Sequence, residues 1–274
     1  LVFEAETVKL SYMTFQPSAS QMAFNKRLAA MSELQDRAAA LVLPHMTDVM
    51  VQSKLCGGTA LSRFYLQHRI SYDLDFFIPP SSSFDAQAMA NHLASKVKLF
   101  NLELTHDAVK ADQLHFAVLA GDEPIKLSFV EDMYSDVFPA VKSAMLIEGV
   151  ALSTESIEGL YHRKLRTVVG WADSDSVAPA GGRQTARDMF DLYVLSQSAQ
   201  PLKQFIQALP YAFPATAFED GLARMPWFDL SAELGETIAA PRWQAATDVE
   251  VLRSYLYAQI GMTDLPDDLP PGEA

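Results

Sequence analysis

Two carboxylates and two glycines in the stretch KLCGGTALSRFYLQHRISYDLDFFI, residues 54–78, have the types and spacing to handle phosphate and a divalent cation. Asp73 and Asp75 are two apart. In a strand, side chains alternate between faces, so both carboxylates fall on one side while Leu74 and Phe76 turn into a core. Gly57 and Gly58 permit backbone angles closed to other residues and let the main chain approach a ligand closely. Thr59 stands near the start of a helix expected over Ala60–His68, where unpaired N–H groups and the helix dipole favour phosphate. Paired acids on a rigid strand, facing a Gly-rich cradle, suit Mg²⁺ (or Mn²⁺) and a nucleotide. Taken singly, a Gly-Gly pair is usually a tight turn and a DxD a solvated strand end. Their order, followed by the apolar FFI, favours the site.

GGTALSRFY…RISYDLDFF resembles the nucleotidyltransferase signature of the AbiEii/AbiGii toxin family, a branch of the DNA polymerase β-like superfamily. That signature is a Gly-Gly or Gly-Ser pair, about a dozen residues, then Asp-x-Asp or Asp-x-Glu. The spacer here, Thr59–Tyr72, is at the long end. The resemblance implies a third acid on an adjacent strand in a Lys-x-Asp pattern; this chain carries Lys126, Leu127 and Ser128, so the lysine matches and the acid does not. A neutral hydroxyl is a poor ligand for a hard cation, which leaves one cation on Asp73 and Asp75 as the simpler expectation. Downstream, Lys164 on one helix and RDMFDLYVL on the next resemble the family's lysine and Arg-Asp-x-x-Asp-Leu motifs. They imply that Lys164 holds phosphates and that Asp188 or Asp191 orients it or the acceptor hydroxyl. The resemblance thus assigns Asp73, Asp75, Lys164, Asp188 and Asp191 to catalysis, Asp73 and Asp75 to the metal, and Gly57, Gly58, Thr59, Arg69, Lys126 and Lys164 to the nucleotide. It further implies NMP transfer from an NTP to an acceptor, with tRNA or another RNA the favoured guess, and a cognate antitoxin as partner. The competing readings are a regulatory nucleotide-binding protein that has lost catalysis, for which Ser128 is the argument, and a helical interaction protein.

The elements that must position these residues follow from periodicity. Residues 18–43 carry apolar positions at helical spacing up to Pro44, and a short segment Thr47–Gln52 leads into the first strand. Ser83 or Asp85 can cap a helix over Ala86–Ser95. Strand-like runs follow at Val97–Thr105, Gln113–Leu119 and Ile125–Val130, the last two joined by a Gly-Asp-Glu-Pro hairpin turn. Beyond Pro139 the pattern reads as helical: SIEGLYHRKLRTVVGW, then TARDMFDLYVLSQ, LKQFIQAL and a long helix near Ala245–Ile260. The polar loop ADSDSVAPAGGRQ between the first two is long for a compact domain. The expectation is a mixed α/β nucleotidyltransferase core over residues 1–145, with helices on one face of its sheet, and a helical C-terminal domain over 146–274 that completes the cleft.

Composition bounds the rest. The chain has 274 residues, 49% of them apolar, enough for a large core. It has no apolar run long enough to span a membrane and no secretory leader pattern at LVFEAETVKL, although it starts on Leu1. Cys56 is the single cysteine, which fits a reducing cytoplasm. A net charge of −13 argues against broad non-specific nucleic-acid binding, leaving a local basic patch from Arg63, Arg69, Arg163, Lys164, Arg166, Arg183 and Arg187 as the means of holding RNA. The tail LPDDLPPGEA reads as Pro-rich, acidic and disordered.

Overall fold

A long amphipathic helix, α1 (Ala19–Val42), opens the fold, capped by Ser18 and stopped where Pro44 begins a tight turn. The computed structural model describes residues 17–80, 84–107, 110–132, 137–138, 140–147, 150–169 and 185–262. Ser83, Arg183, the loop at 172–184 and the acidic tail lie outside them.

One turn of helix, α2 (Asp48–Val51), leads to β1 (Lys54–Cys56). The chain then coils through α3 (Gly57–Ala60), which widens into a π-type segment over Leu61–Leu66, before β2 (Leu74–Ile78). Helix α4 (Ala86–Ala94) is capped by Asp85, whose Oδ1 accepts from the Ala88 N–H at 2.8 Å. Three strands follow, β3 (Phe100–Asp107), β4 (Lys110–Ala120) and β5 (Glu123–Glu131). The β4–β5 hairpin turns at Gly121, whose φ of 74° is the left-handed conformation a tight turn requires.

The expectation that the chain becomes helical after Pro139 is corrected. Residues 140–147 form β6 (Ala140–Ile147) and return as β7 (Val150–Glu155), which pairs in parallel with β1. The division expected at 145/146 would cut β6; the sheet-bearing part runs to Glu155. The run AVKSAMLIEGVALSTE is rich in helix formers, but pairing with β1 decides its state, and such a non-local term overrides propensity. The seven strands lie in the order β3-β4-β5-β2-β1-β7-β6, a mixed sheet.

Alternation gives this sheet two chemically different faces. Leu74, Phe76, Ile78, Leu114, Phe116, Leu127 and Phe129 are buried on one, in a core shared with residues of α1 and α4. The opposite face carries Lys54, Cys56, Asp75, His115 and Ser128. Helix α5 (Ile157–Val169) lies against it, with the Arg163 guanidinium 4.4 Å from the centre of the Phe77 ring. Helices α6 (Ala186–Ser198), α7 (Leu202–Gln207), α8 (Ala215–Ala223), α9 (Trp227–Glu236) and α10 (Val249–Ile260) complete the helical part. Trp227 is buried there and donates Nε1–H to Leu222 O at 3.2 Å. Among the described residues no helix is long and apolar enough to cross a membrane.

Candidate active site

Asp75 lies within β2 and Asp73 immediately before it, both half-buried, while Leu74 and Phe76 are buried between and beyond them. The alternation expected of DLDFF is what the strand adopts. Gly57 faces Asp75 across the β1–β2 pair. Its φ is 69°, and a Cβ there would stand 2.6 Å from Asp75 Oδ2. Gly58 is confined in the same way: a Cβ would meet Arg69 Nη2 at 2.2 Å and Ser71 Oγ at 3.0 Å. The two glycines are therefore required by the close approach of a carboxylate and a guanidinium to the backbone at the start of α3.

The side chains of Thr59 and Arg69, expected at the nucleotide, are engaged inside the protein. The Thr59 hydroxyl donates to the carbonyl of Asp73 and accepts from Gln35 Nε2 at 3.3 Å, while Gln35 also donates to Ser71 O at 2.9 Å. Gln35 is buried on α1 and pins both ends of the α3–β2 connection. Sequence reasoning passed over it, although a glutamine on the apolar stripe of a helix is the type of signal that marks such a clamp.

Arg69 is buried and holds Asp191 with two bonds, Nε–Oδ1 at 2.6 Å and Nη2–Oδ2 at 2.8 Å. Asp191 also meets His68 Nε2 at 2.7 Å and Lys164 Nζ at 2.8 Å. Lys164 in turn bonds Asp188, whose other oxygen accepts from the Thr185 hydroxyl at 2.8 Å. Both acids bond Lys164, and the cluster is an ionic knot against Gly58. Burial by itself would raise the Asp191 carboxyl; Arg69 and Lys164 outweigh it and hold Asp191 well below the ordinary carboxylate range. A carboxylate so tightly held is a weak proton acceptor, and Asp191 anchors the cluster.

A second buried network lies along the same sheet face. Lys54 pairs with Glu155 at 3.0 Å and Asp132 at 3.3 Å, and Arg163 pairs with the same two acids at 2.6 and 2.7 Å. Cys56 touches Glu155 at 3.6 Å; burial pushes its thiol far up, which keeps it inert. Arg63 pairs with Asp36 and Arg187 with Glu233. The basic patch expected from these arginines is not formed by Arg63, Arg69, Arg163 or Arg187, because each of these is paired with an acid of the chain. Lys126, by contrast, is exposed on β5, on the face of Ser128 and Asp75 by alternation.

Ser128 is the register partner of Asp75 and is buried, so the position of the missing third acid is occupied by a small hydroxyl beside the aspartate strand. Among the described residues no group of three or more His, Cys, Asp or Glu side chains is arranged to hold a metal ion. Two carboxylates on one edge of a cradle that a single Cβ would fill still suit one hard cation completed by ligand oxygens.

The profile of the family described as "Nucleotidyl transferase AbiEii toxin, Type IV TA system" matches residues 53–249. The chain belongs to this family. It is an AbiEii nucleotidyltransferase, and the matched region holds the Gly-Gly turn, both aspartates, Lys164 and the Asp188/Asp191 pair. No curated protein matches it. Among solved structures it is similar to JHP933 of Helicobacter pylori (19% identity, 90% of this chain and 92% of that one, TM-score 0.37). It is also similar to the nucleotidyltransferase toxin MenT4 of Mycobacterium tuberculosis (15%, 87% and 95%, TM-score 0.37).

Gly58→Ala tests the contact between the cradle and the ionic knot. Arg69 is fixed by Asp191 and cannot swing away, so the added methyl is expected to overpack the site and cost about 1–3 kcal/mol. Urea unfolding of the AbiEii variant measures it, and an unchanged midpoint would mean that the turn relaxes freely.

Proposed function

We propose that this AbiEii protein transfers an NMP unit from an NTP to a hydroxyl of an RNA acceptor, tRNA first among the candidates, as the toxin of a pair with a cognate antitoxin in the cytoplasm. The observation that carries the reading is the juxtaposition of Asp73 and Asp75 with a glycine turn that leaves no room for a side chain against Asp75. Asp73 and Asp75 would hold the Mg²⁺ (or Mn²⁺), which supplies charge neutralisation to the phosphates when bound. The backbone N–H groups of Gly57, Gly58 and Thr59 at the start of α3 bind the phosphates. Lys126, exposed on the same face, adds positive charge at the open side, while Lys164, neutralised by Asp188 and Asp191, ties the two helices together beneath the cradle. Arg69 holds Gly58 and Asp191 in place and so shapes the cradle without touching the nucleotide.

The test is transfer of label from each of the four α-labelled NTPs to total RNA and purified tRNA, with and without Mg²⁺. Labelled RNA with one NTP supports the reading. Labelled protein alone, or nucleotide binding without pyrophosphate release, would favour a regulatory nucleotide-binding protein.

A further inference from the structure

The face that carries Asp75 holds a row of polar side chains across five strands. Register pairs join Cys56 on β1 to Asp75 on β2, Asp75 to Ser128 on β5, Ser128 to His115 on β4, and His115 to Glu103 on β3. Neighbouring strands are about 4.8 Å apart, so His115 is the second side chain along from Asp75, and Ser128 is the one between. The imidazole is bonded at both nitrogens. Nε2 lies 2.9 Å from Gln113 Oε1, and Nδ1 lies 2.9 Å from Ser128 Oγ. An amide oxygen only accepts, so Nε2 carries the hydrogen and Nδ1 presents its lone pair toward Ser128, along the row to Asp75.

We propose that His115 is the general base of the transfer, its Nδ1 taking the proton of the acceptor hydroxyl, with Ser128 and Gln113 as its positioning residues. This rests on the nucleotidyltransferase reading above. A carboxylate at 128 would stand beside Asp75 and serve there directly. The serine has no charge to offer there, and the half-buried imidazole from the next strand meets its hydroxyl instead, Nδ1 to Oγ at 2.9 Å. When the acceptor enters, its O–H replaces that of Ser128 as the donor to Nδ1. The acceptor oxygen forms its bond to the α-phosphorus as the bond to pyrophosphate breaks. The proton ends on Nδ1, leaving an imidazolium beside its register neighbour Glu103, whose charge favours it.

Burial first, then Lys126, lowers the His115 pKa against the opposing pull of Asp75 and Glu103, so the ring is neutral and able to accept a proton at neutral pH. The acids of the helical half do not compete for this role: Asp188 and Asp191 are bonded to Lys164.

The experiment compares wild type, Asp75→Asn, His115→Ala, His115→Gln and His115→Ala/Ser128→Asp for label transfer, with thermal melts of each. His115→Ala and His115→Gln are expected to fold and to lose about 100-fold in turnover, the lower range for removing a general base. Added imidazole should restore much of the His115→Ala loss, and Ser128→Asp should rescue it by placing a carboxylate beside Asp75. Normal turnover in folded His115→Gln, or a loss that neither imidazole nor Ser128→Asp restores, would overturn the proposal while leaving the transferase reading intact. Absence of any Asp75-dependent transfer in wild type would instead sink that reading, and this one with it. Independently of activity, imidazole ¹⁵N spectra are expected to show the Nε2–H form of His115; a Nδ1–H form would overturn the assignment.

Discussion

Asp191→Ala is expected to remove about 3–5 kcal/mol of stability, because it strips the shared anion from two buried cations. Arg69 and Lys164 both depend on this carboxylate and have little solvent to retreat to, and His68 loses its partner in the same step. Urea unfolding measures the loss; a change under 1 kcal/mol, the scale of an exposed pair, would show that the knot is not held by charge. The same carboxylate gives the protein an acid limit. Its folded pKa lies well below the ordinary 3.8, so its stabilising contribution is fully present above that value and is lost as pH falls through the folded pKa. The histidines act earlier. Burial lowers His68, and it lowers His162 to about 4, so below their ordinary 6.5 the unfolded chain binds protons that the folded one refuses. Stability should therefore decline from about pH 6.5 downward and fall further below pH 4. A melting temperature unchanged between pH 7 and 5 would contradict it.

Asp75→Asn is the second large effect, and it falls on turnover alone. Changing a group that merely supports a metal ligand costs about 10–100-fold, so removing the charge of a ligand itself should cost more than about 100-fold. Asparagine keeps the size of the side chain beside Gly57, and the strand pairings of β2 with β1 and β5 are made by the backbone. The variant should melt within a degree or two of wild type. Near-normal transfer by folded Asp75→Asn would remove the central claim for the site.

The aspartates and the glycine turn were legible in the sequence because the information is local. A two-residue period fixes which way Asp75 and Phe76 face, and adjacent glycines announce a close approach. What the glycines approach was not legible. Arg69 reaches Asp191 across 122 positions of chain, and nothing in the sequence around either residue names the other. His115 was passed over for the same reason. Within HFAVLA it reads as an ordinary outward position of a strand, and its importance comes from the β4–β5 register that sets it opposite Ser128. β6 and β7 escaped because their strand state comes from pairing with β1 and not from their own composition.

The ionic knot also bears on motion. Arg69 belongs to the connection between α3 and β2, whereas Lys164 and Asp191 belong to α5 and α6, and all three meet in one desolvated cluster. Swinging the helices away from the glycine turn would separate these charges without water to receive them. At about 3 kcal/mol or more per opening, the parted form would be populated at about 1% or less. The glycine turn and the two helices would then behave as one rigid body beside Asp75, so that any adjustment to a ligand falls on side chains at its rim and not on a hinge beneath it. Amide exchange in α3, α5 and α6 should accordingly report a single unit, protected by about 100-fold or more and to the same degree in all three.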